Sequence, residues 1–263
     1  TMQGITSLAI FCILQLVSDN LTITLLAMTG GICAIGLLFD LPRATRFEAL
    51  RVGISRKKAL HLLQYCLPIV VAAVACGAAP SLPRQVLSSL QGATALGIYA
   101  SVAAPVTIIQ MGASYIYNPL LGYFSQAYVS RNMKQLASLL LKASAGIAAL
   151  GVIAAIVLTF LGEPLLVLMF GSSIAPYAYL LTPIIICSMI TAYVWFLNDV
   201  LVALRHFRGS FIGNVCAVVL SVPASFALIP AFGMNGVSFA SFLAYGISAL
   251  IMLVCLLRMF RAE

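Results

Sequence analysis

About eight apolar runs follow one another along this chain, most of them close to twenty residues long, and lysine and arginine fill every second gap between them. The runs lie near 3–18, 21–39, 62–81, 96–124, 137–161, 174–200, 210–229 and 235–257. Arg43, Arg46, Arg51, Arg56, Lys57 and Lys58 occupy one gap. Arg131 and Lys134 occupy the next but one, then Arg205 and Arg208, then Arg258 and Arg261 at the C-terminus. The intervening gaps hold little beyond Asp19, Arg84 and Glu163. An apolar helix of roughly 20 residues matches the thickness of bilayer hydrocarbon, and short loops rich in Lys and Arg stay on the cytoplasmic side during insertion. The sequence therefore predicts an all-α, polytopic membrane bundle of about eight transmembrane helices. It places 40–60, 125–136, 202–209 and the C-terminus on the cytoplasmic side, and 82–95, 162–173 and 230–234 outside.

Composition excludes the soluble classes. Hydrophobic residues make up 63% of the chain and charged residues 8%, against about 45–50% and 25% in soluble domains. A net charge of +8 would suit nucleic acid in another context. Here the basic residues sit beside apolar runs, so membrane lipids are the expected partner and nucleic acid is not. The seven cysteines lie almost entirely inside apolar runs and form no CxxC pair, so they read as small packing residues. No cofactor or metal is expected. No cleavable signal peptide is expected, and the opening Thr1-Met2 reads as a start in mid-protein.

Within the runs, the i, i+4 pairs Ala27/Gly31 and Ala145/Ala149 allow close helix packing. Pro68, Pro105, Pro119, Pro183 and Pro223 bend their helices. Leu50, Ile54, Leu60 and Leu63, set among basic residues, predict an amphipathic surface helix over 40–60. Catalytic material is scarce. The six acidic residues share no span, His61 and His206 stand at span ends beside basic residues, and no nucleophile, phosphate-loop or metal-ligand spacing occurs. An enzyme is not expected.

Ionisable residues in or beside spans are the candidates for function, because burying charge in hydrocarbon is costly. Arg84, the one basic residue on the external side, either contacts headgroups or lines a translocation path. Lys142, a turn into its span, either snorkels to the interface or binds substrate. Asp199, after Asn198, either pairs with Arg205 or Arg208 or serves the path. Asn118, before Pro119, marks a polar helix break that either meets substrate or is structural. Trp195 and the tyrosines read as an interface belt.

Two stretches go further: Leu82-Pro83-Arg84 with the following Ala95-Leu96-Gly97-Ile98-Tyr99-Ala100, and Ile229-Pro230-Ala231-Phe232-Gly233-Met234-Asn235-Gly236-Val237. With Pro119 and Leu168-Met169-Phe170-Gly171, they resemble the polysaccharide exporters of the multidrug/oligosaccharidyl-lipid/polysaccharide (MOP) superfamily, and within it the O-antigen (Wzx-like) flippases. The glycines at 233 and 236 suit a tight reversal between the last two spans. The resemblance implies about twelve to fourteen spans in two bundles around a cavity. This chain would supply the last eight: 1–39 as the final two helices of an N-terminal bundle, 40–60 as the cytoplasmic linker, and 61–263 as a six-helix C-terminal bundle. The missing N-terminal helices would then be its structural partner. It also implies alternating-access flipping of polyprenyl-pyrophosphate-linked oligosaccharide across the bacterial cytoplasmic membrane, with Arg84 and Lys142 available to anionic cargo. The alternatives are a multidrug cation antiporter of the same superfamily, which needs buried carboxylates and has only Asp199 here, a lipid II flippase, a membrane-embedded glycan-assembly enzyme, and a scaffold.

Overall fold

The computed structural model describes residues 10–14, 21–35, 42 and 56–262. The chain divides into two compact units, 1–59 and 60–263. The first contains a short helical stretch at 10–14 and helix α1 (Leu21–Ile35). Much of the 3–18 span and most of the 40–60 segment, where the amphipathic helix is expected, lie outside the described residues.

Helix α2 (Arg56–Ala78) leads into the second unit, followed by α3 (Ser81–Ala103), α4 (Thr107–Tyr117), α5 (Leu121–Val129) and α6 (Met133–Phe170). The chain closes with α7 (Leu181–Ala203), α8 (Phe207–Phe232) and α9 (Asn235–Ala262). Three-ten turns at Asn118–Leu120 and Ser172–Leu180 join α4 to α5 and α6 to α7. The described residues contain no strand, and five helical segments among them are long and apolar enough to cross a membrane. The chain is a multi-pass helical membrane protein.

The helices extend well past the apolar runs. The expected external loop 82–95 is helical: α3 runs through it, with Gly92 (φ 87, ψ 171) as its one non-helical residue. That backbone region is essentially restricted to glycine. The 162–173 loop shrinks because α6 continues through Pro164 to Phe170. The gaps at 125–136 and 202–209 contract to three residues each, 130–132 and 204–206. Polar residues mark where the chain leaves hydrocarbon, whereas helices stop only where the backbone turns. The 96–124 span is broken in two places, by Pro105 in the turn before α4 and by Asn118-Pro119.

Packing inverts the rule for water-soluble helices. Ile212, Val219 and Phe226 on α8, and Leu250, Val254 and Leu257 on α9, are exposed. The buried sides carry small polar residues at helical spacing: Ser210, Asn214, Ser221 and Ser225 on α8, and Ser238, Ser241, Tyr245 and Ser248 on α9. Lipid supplies no hydrophobic drive between helices, so close packing and polar contacts hold them together. Ala145 and Ala149 face outward. The close approaches use glycines instead, Gly151 against Met189 and Gly213 against Met252. One apolar cluster, with Phe124, Leu136, Leu201, Leu204 and Leu256, gathers at the basic end of the second unit; the other, with Leu87, Leu166, Leu180, Ile229 and Val237, gathers at the opposite end.

The two corners at the basic end each place an arginine in the left-handed region, Arg131 at φ 54 and Arg205 at φ 59. A side chain there costs about 1–2 kcal/mol. The orientation has a direct test. In a background whose native cysteines are replaced by serine, a membrane-impermeant maleimide should label Ser172→Cys from outside and Ser130→Cys only after permeabilisation. The reverse accessibility would invert the topology.

Candidate functional site

Three buried polar stripes meet inside the second unit. Helix α7 contributes Ser188 and Thr191 and, further along, half-buried Asn198 and Asp199; α8 and α9 contribute the serines, Asn214 and Tyr245. Several hydroxyls fold back on their own helices: Thr191 donates to the Cys187 carbonyl, Ser225 to Ser221 and Ser241 to Val237. Tyr245 Oη and Ser248 Oγ are buried without a hydrogen-bond partner among the described residues.

Toward the basic end lies a cross-helix network centred on Asn198 and Asp199. Tyr117, the last residue of α4, donates its phenol to Asp199 Oδ2 at 3.0 Å. Asn198 Nδ2 donates to Asp199 Oδ1 at 3.0 Å. From α8, Ser210 Oγ and Asn214 Nδ2 donate to Asn198 Oδ1 at 2.6 and 2.7 Å. A cleft of about 200 Å3 opens beside the network, lined by Ala72 and Ala73 of α2 together with Asn198, Asp199, Val202, Phe207 and Ser210. Asp199 makes no ion pair with Arg205 or Arg208 among the described residues; its partners are neutral donors.

At the opposite end, the Arg84 guanidinium lies 5.9 Å from the Tyr99 ring centroid, within cation–π range. Tyr99 is buried, and its hydroxyl shares a 3.0 Å hydrogen bond with Ser238 of α9. Arg84 is half-buried, and the ring its guanidinium lies over belongs to a buried residue. The column therefore has a cation toward one end and a carboxylate toward the other.

Of the four residues singled out from sequence, Asp199 and Arg84 belong to this column. Lys142 is exposed on α6, and Asn118 is exposed at the three-ten turn; the structure brings neither to the network. The polar break at 118–119 lies beside the site, but the side chain that enters it is the neighbouring Tyr117. Reading all the tyrosines as an interface belt is corrected: Tyr99, Tyr117 and Tyr245 are only 3, 3 and 2% exposed. Trp195 Nε1 is likewise buried, without a hydrogen-bond partner among the described residues. Among the described residues no group of three or more His, Cys, Asp or Glu is placed to hold a metal ion.

No family model and no curated protein matches the sequence. The structure is similar to a solved multidrug resistance MATE family transporter of the MOP superfamily in its outward-facing conformation, with a TM-score of 0.66 at 15% identity. The match covers 91% of this chain and 55% of that one, so the chain spans about half the length of that transporter and shares its fold.

Proposed function

We propose that this chain is part of an alternating-access transporter of the MOP superfamily whose cargo is a polyprenyl-pyrophosphate-linked oligosaccharide. The observation that carries this reading is the placement of Arg84. A guanidinium at the end of the bundle away from the basic corners is not needed to orient the chain. Set beside buried Tyr99, it offers planar donors to a phosphate or an acidic sugar. The rest of the column suits a sugar chain, which needs many neutral hydroxyl and amide contacts and few charges. The fold shared with a MATE transporter supports the transport class without choosing the cargo.

In cells that depend on the intact protein for surface polysaccharide, Arg84→Ala is expected to lower export at least tenfold at unchanged protein abundance. Arg84→Lys should restore part of it, because the charge remains while the planar fork is lost. Unchanged export in the alanine strain would remove the cargo assignment.

A second reading rests on Asp199. A carboxylate embedded between helices, held by Tyr117 and Asn198 and bordering a cleft, is what a cation-coupled multidrug antiporter requires. Efflux of a cationic dye that is lost in Asp199→Asn and retained in Arg84→Ala would favour that reading over the first.

A further inference from the structure

We propose that the helix corners at 130–132 and 204–206 are a matched pair of docking points for anionic phospholipid headgroups. The two are built alike. Arg131 N–H donates to the Tyr128 carbonyl at 3.0 Å, and Asn132 N–H to Ala127 at 2.9 Å. Arg205 N–H donates to Val202 at 3.0 Å, and His206 N–H to Leu201 at 2.8 Å. Each corner runs arginine, polar residue, apolar residue, base: Arg131-Asn132-Met133-Lys134 and Arg205-His206-Phe207-Arg208. Met133 and Phe207 turn inward and are half-buried, while all four basic residues are exposed.

Two features of each corner run against local preference. The left-handed position after a helix favours glycine or asparagine, yet both corners use arginine, and these are the only non-glycine residues at positive φ among the described residues. Lys134 and Arg208 stand in the first turns of α6 and α8, where the helix dipole disfavours a cation. None of the four side chains has a hydrogen-bond or ion-pair partner among the described residues. A doubly disfavoured choice, made twice at one end of the bundle, calls for compensation from beyond the described residues. Each corner opens a helix long and apolar enough to cross a membrane, α6 and α8; lipid headgroups border the ends of such helices, and the compensating group there is a lipid phosphate. This inference is independent of the cargo.

The test uses the intact protein in nanodiscs of phosphatidylcholine alone or with graded phosphatidylglycerol, read by thermal unfolding and by native mass spectrometry of retained lipid. The parent should retain phosphatidylglycerol and unfold at higher temperature as its fraction rises. Arg131→Gly and Arg205→Gly relieve the backbone, so each should match or exceed the parent in phosphatidylcholine. Each should also lower phosphatidylglycerol affinity at its own corner about fivefold. Lys134→Gln and Arg208→Gln leave the left-handed residue in place and should lose phosphatidylglycerol by a similar factor without that gain in stability. Parental lipid binding in the glycine or the glutamine variants would overturn the proposal, as would glycine variants less stable than the parent in phosphatidylcholine. An equal rise with inorganic phosphate in phosphatidylcholine would assign the corners to a soluble anion and overturn the headgroup assignment.

Discussion

Gly236→Ala is expected to unfold at a markedly lower temperature than the parent protein, whereas Gly97→Ala should match or slightly exceed it. The same methyl group is added in both cases, and only its surroundings differ. A Cβ at Gly236, on the first turn of α9, would fall 2.5 Å from Ile229 Cα and 2.6 Å from Ile229 N. Those are backbone atoms of α8 and cannot rotate away, so relief requires prising the final two helices apart. The cost is about 3 kcal/mol, at the upper end for an overpacked site. A Cβ at Gly97 would have no heavy atom within 4 Å, and alanine in a helix is favoured over glycine by roughly 0.5–1 kcal/mol. The single tryptophan, Trp195, reports unfolding by fluorescence in detergent. Equal midpoints for the two variants would contradict the close approach of α8 and α9. The nearby Gly233 does different work. At φ 60 it turns the chain between the two helices, so the two glycines expected to serve one reversal divide it into a turn and a contact.

Asp199→Asn should stop transport while leaving the fold at least as stable as before. Asparagine keeps the shape of aspartate, and its amide oxygen still accepts a hydrogen bond from Tyr117 or Asn198. A carboxylate held only by neutral donors within a membrane bundle is expensive to keep, so losing it should not lower the unfolding temperature. Transport is expected to fall tenfold or more, because the carboxylate is the acidic group of the polar column. The measurement is paired: an unfolding midpoint in detergent, and uptake into proteoliposomes or export in cells. A midpoint that falls with activity would reduce Asp199 to a structural role. Full activity would remove it from the mechanism.

The apolar runs carried the fold class into the structure almost unchanged, because lipid-facing helices must be apolar whatever they do inside. Helix ends did not transfer. Arg84 reads as loop by charge and proline, yet it lies on α3, since a basic side chain can leave the hydrocarbon while its backbone stays helical. The site was half readable. Asp199 stands out because acidic residues are rare in spans. Tyr117 does not, because a tyrosine near a span end looks the same whether it meets headgroups or turns inward to a carboxylate. The α9 series Ser238, Ser241, Tyr245 and Ser248, spaced by three and four, was present as a pattern. Serine alone is a poor signal, since its hydroxyl can be satisfied by its own helix and imply nothing about a neighbour.

That habit of the hydroxyls has a mechanical consequence. Thr191, Ser221 and Ser225 spend their hydrogen bonds on their own helices, so movement along these stripes breaks no cross-helix hydrogen bond at these positions. The cross-helix hydrogen bonds gather at two fasteners, Tyr99 with Ser238 at one end and Tyr117, Asn198, Asp199, Ser210 and Asn214 at the other, and the glycine contacts at Gly151, Gly213 and Gly236 add steric interlocks. A change of shape in this bundle would have to release those hydrogen bonds and part those contacts.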